Sequence, residues 1–333
     1  MKSFFQLPLI ALVCLFAACA PLEQELGAQS TVPQLKPDMA VMEDGIALPL
    51  RHWPAKKPKA ILVAVHGFND YSNAFDVPAK WFAQKGVSTY AFDQRSFGKN
   101  NNRGIWAGSE VMTRDLATFV TLVKARHRDL PVFVAGVSMG GAVTMRALGK
   151  GWLGHVKGVV LVAPAVWGWR SMNLFYRAGL WSAAHISPAS TATGSGLNVW
   201  PSDNVEMLRE IGRDPLMVRD TRIDAIYGLV GLMDEAYDAS AQISKPILYL
   251  YGANDQLVPR GPTFKTMKTI KSDKRVVYYK NGWHMLLRDK QAKRVWQDIL
   301  VWMMDAKAKL PSGEEITDKL KSRNIRPVAG RNN

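Results

Sequence analysis

A serine with glycine two residues away on either side, Gly136-Val137-Ser138-Met139-Gly140, stands where one chain pattern gives way to another. Residues 132–135 (VFVA) are a short apolar run of the kind that forms a buried strand, and residues 142–148 read as a helix with small side chains on its first turn. A strand-to-helix turn this tight leaves no room for a Cβ at the flanking positions. It holds the serine in a strained backbone with Oγ presented at the C-terminal edge of a sheet. That hydroxyl is a candidate nucleophile, but at neutral pH it is a poor one unaided. It requires a base to take its proton, an acid to orient the base, and two N–H donors for the charge that develops on a carbonyl oxygen.

The remaining chain offers one set of residues for each task. Reactive groups in a parallel sheet belong at the C-terminal ends of strands. The apolar run 246–251 ends at Gly252-Ala253-Asn254-Asp255, and the run 275–279 leads into Asn281-Gly282-Trp283-His284. The chain order Ser138, Asp255, His284 suits nucleophile, acid and base, and one helix and one strand fit between the last two. Asp234 and Asp238 are alternative acids, but both fall in an insertion away from the strand ends. One oxyanion donor is the N–H of the residue after the nucleophile, Met139. The other belongs to the loop after the strand 60–65, where His66-Gly67-Phe68 offers the N–H of Phe68. His66 itself reads as a structural turn residue, and Asp93 as a residue that fixes the loop after it.

The elements that must place these groups alternate in the manner of a parallel sheet covered on both faces. Strands are expected at 47–53, 60–65, 87–92, 132–135, 158–162, 246–251 and 275–279. Helices are expected at 74–85, closed by Gly86, at 111–127 with Leu116, Phe119, Val120 and Val123 inward, at 262–270 and at 289–307. The rhythm stops from 165 to 240, an aromatic-rich stretch with helical segments at 204–212 and 222–237 and no expected strand. It reads as a helical cap inserted after the strand that follows the nucleophile helix. The chain thus divides into 1–19, a tether at 20–37, a core at 38–164 and 241–310, the cap at 165–240, and a polar, basic tail at 311–333.

Residues 1–19 have the layout of a secretory signal: Lys2, then an apolar stretch too short to span a bilayer. Its end, Phe16-Ala17-Ala18-Cys19, resembles a bacterial lipobox, which would make the protein an exported, membrane-anchored lipoprotein; Ala18-Cys19-Ala20 is alternatively an A-x-A cleavage site. The two cysteines, Cys14 and Cys19, both lie here, so an exported domain has no disulfide to rely on. A net charge of +15 points to an anionic surface. Between Lys265 and Arg294 there are ten Lys and Arg against Asp273 and Asp289 alone. No nucleic-acid motif accompanies them, so anionic lipid headgroups are the expected partner, at about 1 kcal/mol per basic residue near the surface.

Taken together, H-G-F-N-D at 66–70, F-D-Q-R-S-F-G at 92–98, G-V-S-M-G-G at 136–141, G-A-N-D-Q-L-V-P at 252–259 and G-W-H at 282–284 resemble the monoacylglycerol lipase and lysophospholipase group of α/β-hydrolases, with serine aminopeptidase-like relatives. The resemblance covers roughly residues 40–306. Val137 departs from it, since the group usually has histidine there. It implies an α/β-hydrolase fold, a triad of Ser138, Asp255 and His284, oxyanion donors at Phe68 and Met139, and no metal or organic cofactor. Serine at the turn disfavours a dehalogenase or epoxide hydrolase, whose nucleophile is aspartate. The expected activity is cleavage of carboxylic esters of lipid-like substrates through an acyl-enzyme. The alternatives are an aminopeptidase-like hydrolase of short peptides and a lipid-binding lipoprotein without catalysis. Trp167, Trp169, Phe175, Tyr176, Trp181 and the run 226–233 could line an acyl channel or form the cap's own core.

Overall fold

The apolar runs become the centre of a nine-stranded sheet in the computed structural model, which describes residues 20–321 apart from 195 and 197. In chain order the strands are β1 (Gln34–Leu35), β2 (Met39–Val41), β3 (Ala47–Trp53), β4 (Ala60–Val65), β5 (Val87–Phe92), β6 (Val132–Val137), β7 (Gly158–Val162), β8 (Thr191–Ala192), β9 (Thr221–Arg222), β10 (Ile247–Gly252) and β11 (Lys274–Tyr279). The helices are α1 (Asp76–Gln84), α2 (Ser109–Arg126), α3 (Met139–Gly149), α4 (Leu174–Ile186), α5 (Val205–Arg213), α6 (Ile223–Ala239), α7 (Arg260–Thr269), α8 (Ala292–Met304) and α9 (Thr317–Lys321). Across the sheet the order is β1-β2-β3-β5-β4-β6-β7-β10-β11. The six strands from β5 onward in that order are parallel, and β1 to β3 make an antiparallel edge.

The central strands are apolar at consecutive positions because both faces are covered. Every residue of β4 is buried; Ile61, Val63 and Val65 join one core while Ala60, Leu62 and Ala64 join the other. This is the period-two split of a strand packed on both sides. Leu116, Phe119 and Val120 of α2 and Ala142 and Val143 of α3 complete the first core. Phe82 of α1 and Val295, Ile299 and Trp302 of α8 complete the second. The helices therefore clamp the sheet, and the loops at the strand ends are carried on rigid elements.

Three segments differ from the sequence reading. The expected tether, 20–37, is laid along the body. Leu22 N donates to Asp224 Oδ2 at 3.3 Å, Gln24 N to Trp106 O at 2.9 Å, Thr31 N to Glu43 O at 2.8 Å, and β1 pairs with β2. These bonds use main-chain groups and need no apolar pattern, so a polar, proline-punctuated sequence can make them. The first part of the basic tail also docks: Ile316 N donates to Val276 O at 2.8 Å, and Glu315 pairs with Arg275 at 2.5 Å. Finally, the insertion contains a small antiparallel pair, β8 with β9, beside α4, α5 and α6. The proposed signal and lipobox, both cysteines and residues 322–333 lie outside the described residues.

Candidate active site

Ser138 stands between β6 and α3 with φ 51° and ψ −117°, a left-handed conformation that costs a non-glycine residue about 1–3 kcal/mol. The strain is held in place from both sides. Ser138 N donates to Val162 O at 3.0 Å, and Ser138 O accepts from Gly141 N at 2.9 Å and Ala165 N at 2.9 Å. The flanking glycines are sterically required. A Cβ on Gly140 would overlap the carbonyl oxygens of Val65 and His66, and one on Gly136 would lie 2.5 Å from Gly140 O and 2.7 Å from Gly141 Cα.

His284 and Asp255 arrive on the loops after β11 and β10, parallel neighbours in the sheet. The two loops are tied by Ala253 N to Tyr279 O and Asn254 N to Gly282 O, both 2.9 Å. His284 Nδ1 lies 2.9 Å from Asp255 Oδ2, and both side chains are buried. The other carboxylate oxygen, Oδ1, accepts from Leu257 N and Val258 N at 2.9 Å each, so Asp255 is fixed before it meets the ring. With Nδ1–H donating to the carboxylate, Nε2 carries the lone pair, the tautomer a general base needs. Asp234 and Asp238, the alternative acids, instead pair with Arg170 at 3.1 and 2.7 Å.

His66 is fully buried and fully used. Gln94 N donates to its Nε2 at 2.9 Å, which places the proton on Nδ1, and Nδ1 donates to Gly67 O at 2.8 Å. Burial pushes its pKa down, in keeping with a neutral ring. In a trans peptide the N–H points opposite the carbonyl, so pinning Gly67 O on His66 turns the N–H of Phe68 the other way. Gly67 packs against the serine, with the position of a Cβ there only 3.3 Å from Ser138 Cβ. Met139 opens α3, whose first-turn N–H groups have no acceptor within the helix.

Ser138, His284, Gly67 and Phe68 line one cavity of about 450 Å³. Its walls are largely apolar, with Trp167, Val199, Leu257 and, from α6, Ile226, Leu229, Val230 and Met233. Ile226, Leu229, Val230 and Met233 of the run 226–233, with Trp167, thus face the cavity, whereas the other aromatics of the insertion do not behave as one set. Trp169 packs edge-on against Tyr227, and on α4 Phe175 is 88% exposed, Tyr176 62% and Trp181 53%. Those three are neither cap core nor buried channel wall.

Two positioning residues had no signal in the sequence. Asp289, inside the basic run, accepts from Trp283 N at 2.8 Å and from Ser202 Oγ at 2.6 Å, which fixes the loop of His284. Burial raises its pKa. Arg288 forms a partly buried pair with Asp70 at the cavity wall. Neither residue belongs to a recognisable motif, because each acts only on neighbours that the fold brings near.

A mostly parallel sheet clamped by helices, with a strained serine at a strand-to-helix turn and a histidine–aspartate pair on later loops, defines an α/β-hydrolase. Residues 56–291 match the Hydrolase_4 family, serine aminopeptidase S33, and the chain belongs to that family. It is 26% identical to a monoacylglycerol lipase of Mycolicibacterium smegmatis over 275 residues, covering 75% of this chain and 90% of the relative. It is 24% identical to the human monoglyceride lipase over 270 residues, covering 79% and 88%. Among solved structures, a soluble variant of the Saccharomyces cerevisiae monoglyceride lipase, in complex with a substrate analogue, superposes with a TM-score of 0.71 at 21% identity, covering 87% of this chain and 99% of that one. The chain is an esterase- and lipase-like α/β-hydrolase.

Proposed function

We propose that the protein hydrolyses carboxylic esters of single-chain lipids, of the monoacylglycerol or lysophospholipid type, through an acyl-enzyme on Ser138. The observation that carries this reading is the strained serine opening onto an apolar cavity that also holds a histidine already bonded to a buried aspartate. In this mechanism Ser138 Oγ attacks the ester carbonyl while His284 Nε2 takes its proton. Asp255 stabilises the imidazolium, and the N–H groups of Phe68 and Met139 receive the oxyanion. His284 then protonates the departing alcohol, and water activated by the same imidazole releases the fatty acid. The apolar walls from α6 and Trp167 favour an alkyl chain over a small polar acyl group.

An aminopeptidase would need a free carboxylate to hold the substrate's ammonium. Among the described residues, the acidic side chain in the cavity wall is Asp70, which is already paired with Arg288. The reading also includes docking on an anionic bilayer after export, anchored at Cys19. Support comes from Leu174, Phe175, Tyr176, Trp181 and Ile186 exposed on α4, and from Lys265, Lys268, Lys271, Lys280, Lys290 and Lys293 exposed elsewhere on the surface. Arg275, Arg288 and Arg294 of the same basic run are offset by Glu315, Asp70 and Glu314.

The test compares p-nitrophenyl acyl esters of increasing chain length, monoacylglycerols, lysophospholipids and aminoacyl anilides, with sedimentation on phosphatidylglycerol vesicles alongside. The reading predicts turnover that rises from acetyl to medium-chain esters, little cleavage of anilides, and salt-sensitive vesicle binding. Faster turnover of anilides than of esters would reject the ester reading, and absence of vesicle binding would reject the bilayer part alone.

A further inference from the structure

The loop 66–71, which leaves β4 and bears Phe68, is gripped from two sides. On the inner side the His66 ring holds Gly67 O. On the outer side three bonds run to the stretch 214–221, which joins α5 to β9 and α6. Asn69 Nδ2 donates to Thr221 Oγ1 at 2.7 Å, Val218 N donates to Asn69 O at 3.1 Å, and Tyr71 OH donates to Asp214 Oδ2 at 2.5 Å. Between these contacts, Asp70 accepts from Tyr71 N at 2.9 Å and pairs with Arg288, four residues beyond His284.

Asn69 has φ 64°. Asparagine tolerates the left-handed region better than most side chains, but the conformation is still disfavoured and must be held. The groups that hold it belong to the cap strap, since both its side-chain amide and its carbonyl are bonded there. Phe68 therefore lies between a carbonyl fixed by the core and a residue fixed by the cap.

We infer that the strap 214–221 positions the oxyanion site, with Asn69 and Tyr71 as the residues that transmit the position of the cap to the Phe68 N–H. The inference rests on the reading of Phe68 as an oxyanion donor. An oxyanion donor acts on charge that exists only as the carbonyl is attacked, so a small displacement lowers kcat more than it weakens substrate binding. The same cap contributes α6 to the acyl cavity. A shift of the cap that admits or releases an alkyl chain is thus passed to the oxyanion loop through the three strap bonds.

Thr221→Val and Tyr71→Phe each remove one bond at nearly constant shape, and Thr221→Ser keeps the acceptor. Wild type, the two single variants, their double variant and Thr221→Ser would be assayed on p-nitrophenyl butyrate. They would also be titrated with an alkyl trifluoromethyl ketone, which forms a charged tetrahedral adduct on the serine, and their thermal midpoints recorded. The inference predicts a fall in kcat of about fivefold for Thr221→Val, the effect of one neutral hydrogen bond, and of about tenfold or more for Tyr71→Phe, whose lost bond is to a carboxylate. KM stays within about twofold, the Ki of the ketone rises by the same factor as kcat falls, and Thr221→Ser restores both. Unchanged kcat and Ki in folded variants would overturn it, as would a rise in KM at constant kcat, which would mean that the strap shapes only the acyl cavity. If Thr221→Val does not fold, Asn69→Gly, which removes the amide and permits the same φ, takes its place with the same expected and contrary results. A wild type that neither cleaves the ester nor binds the ketone would instead bring down the hydrolase reading, and this inference with it.

Discussion

The turn at Ser138 shows how three residue types settle a local geometry that none could set alone. The serine occupies φ 51°, and Gly136 and Gly140 are the only residue type that fits on either side of it. Gly140→Ala would drive a methyl into the carbonyls of Val65 and His66, at the root of the oxyanion loop. We expect a loss of about 1–3 kcal/mol in stability, as for other overpacked sites, and a fall in kcat/KM of about 100-fold as the serine is displaced. Urea denaturation and ester kinetics on the purified variant check both, and wild-type kinetics would contradict the steric account. The glycines, the serine and the strand-end positions of Asp255 and His284 were legible in the sequence because each depends on its neighbours along the chain. The task of His66 was only half legible. Its place in a turn could be read, but its hold on the Gly67 carbonyl depends on Gln94, from a loop that the sheet brings alongside.

Elements repeat the lesson with a different boundary. The central strands are visible because burial on both faces demands a run without exposed positions, and β4, β5 and β7 fall at the residues expected, as does the alternating strand β3. The docked edges were hidden, since β1, β2 and the stretch around Glu315 are held by main-chain bonds, an ion pair and isolated apolar contacts from Leu35, Ala40 and Ile316 that make no hydrophobic period. The packing of α2, α3 and α6 carries a further charge network. Glu110 of α2 meets Arg146 and Lys150, on α3 and just past its end, at 2.8 and 2.9 Å, and Arg146 also reaches Glu235 of α6. Burial pushes the Glu110 carboxyl up, but hydrogen bonds from Lys150 and Arg146 outweigh it and hold the pKa down to about 2, against an ordinary value of 4.5. A carboxyl depressed in the folded state adds stability that is present above 4.5 and is lost as pH falls toward 2. Wild type should therefore lose more of its thermal midpoint between those pH values than Glu110→Gln does. Parallel midpoint curves for the two proteins would show that the network adds nothing.

The assembled protein joins a rigid hydrolase core to an insertion with two kinds of apolar surface. One kind, on α6, faces the cavity, and the other, on α4, faces outward. Sequence could count these apolar residues but not sort them, because the direction of each side chain is set by how the insertion packs on the core. The charge excess is likewise readable as a sum, whereas its partial offset by Asp70, Glu314 and Glu315 requires the fold. The ester chemistry and the part proposed for the cap in it depend on Ser138 being the nucleophile, and one measurement addresses that directly. Purified wild type and Ser138→Ala would be compared for hydrolysis of a medium-chain p-nitrophenyl ester and for labelling by a fluorophosphonate. The account predicts a single labelled site at Ser138 in the wild type, no labelling of the variant, and a fall in kcat of about a millionfold. Hydrolysis by Ser138→Ala within tenfold of wild type, or labelling at another residue, would contradict it.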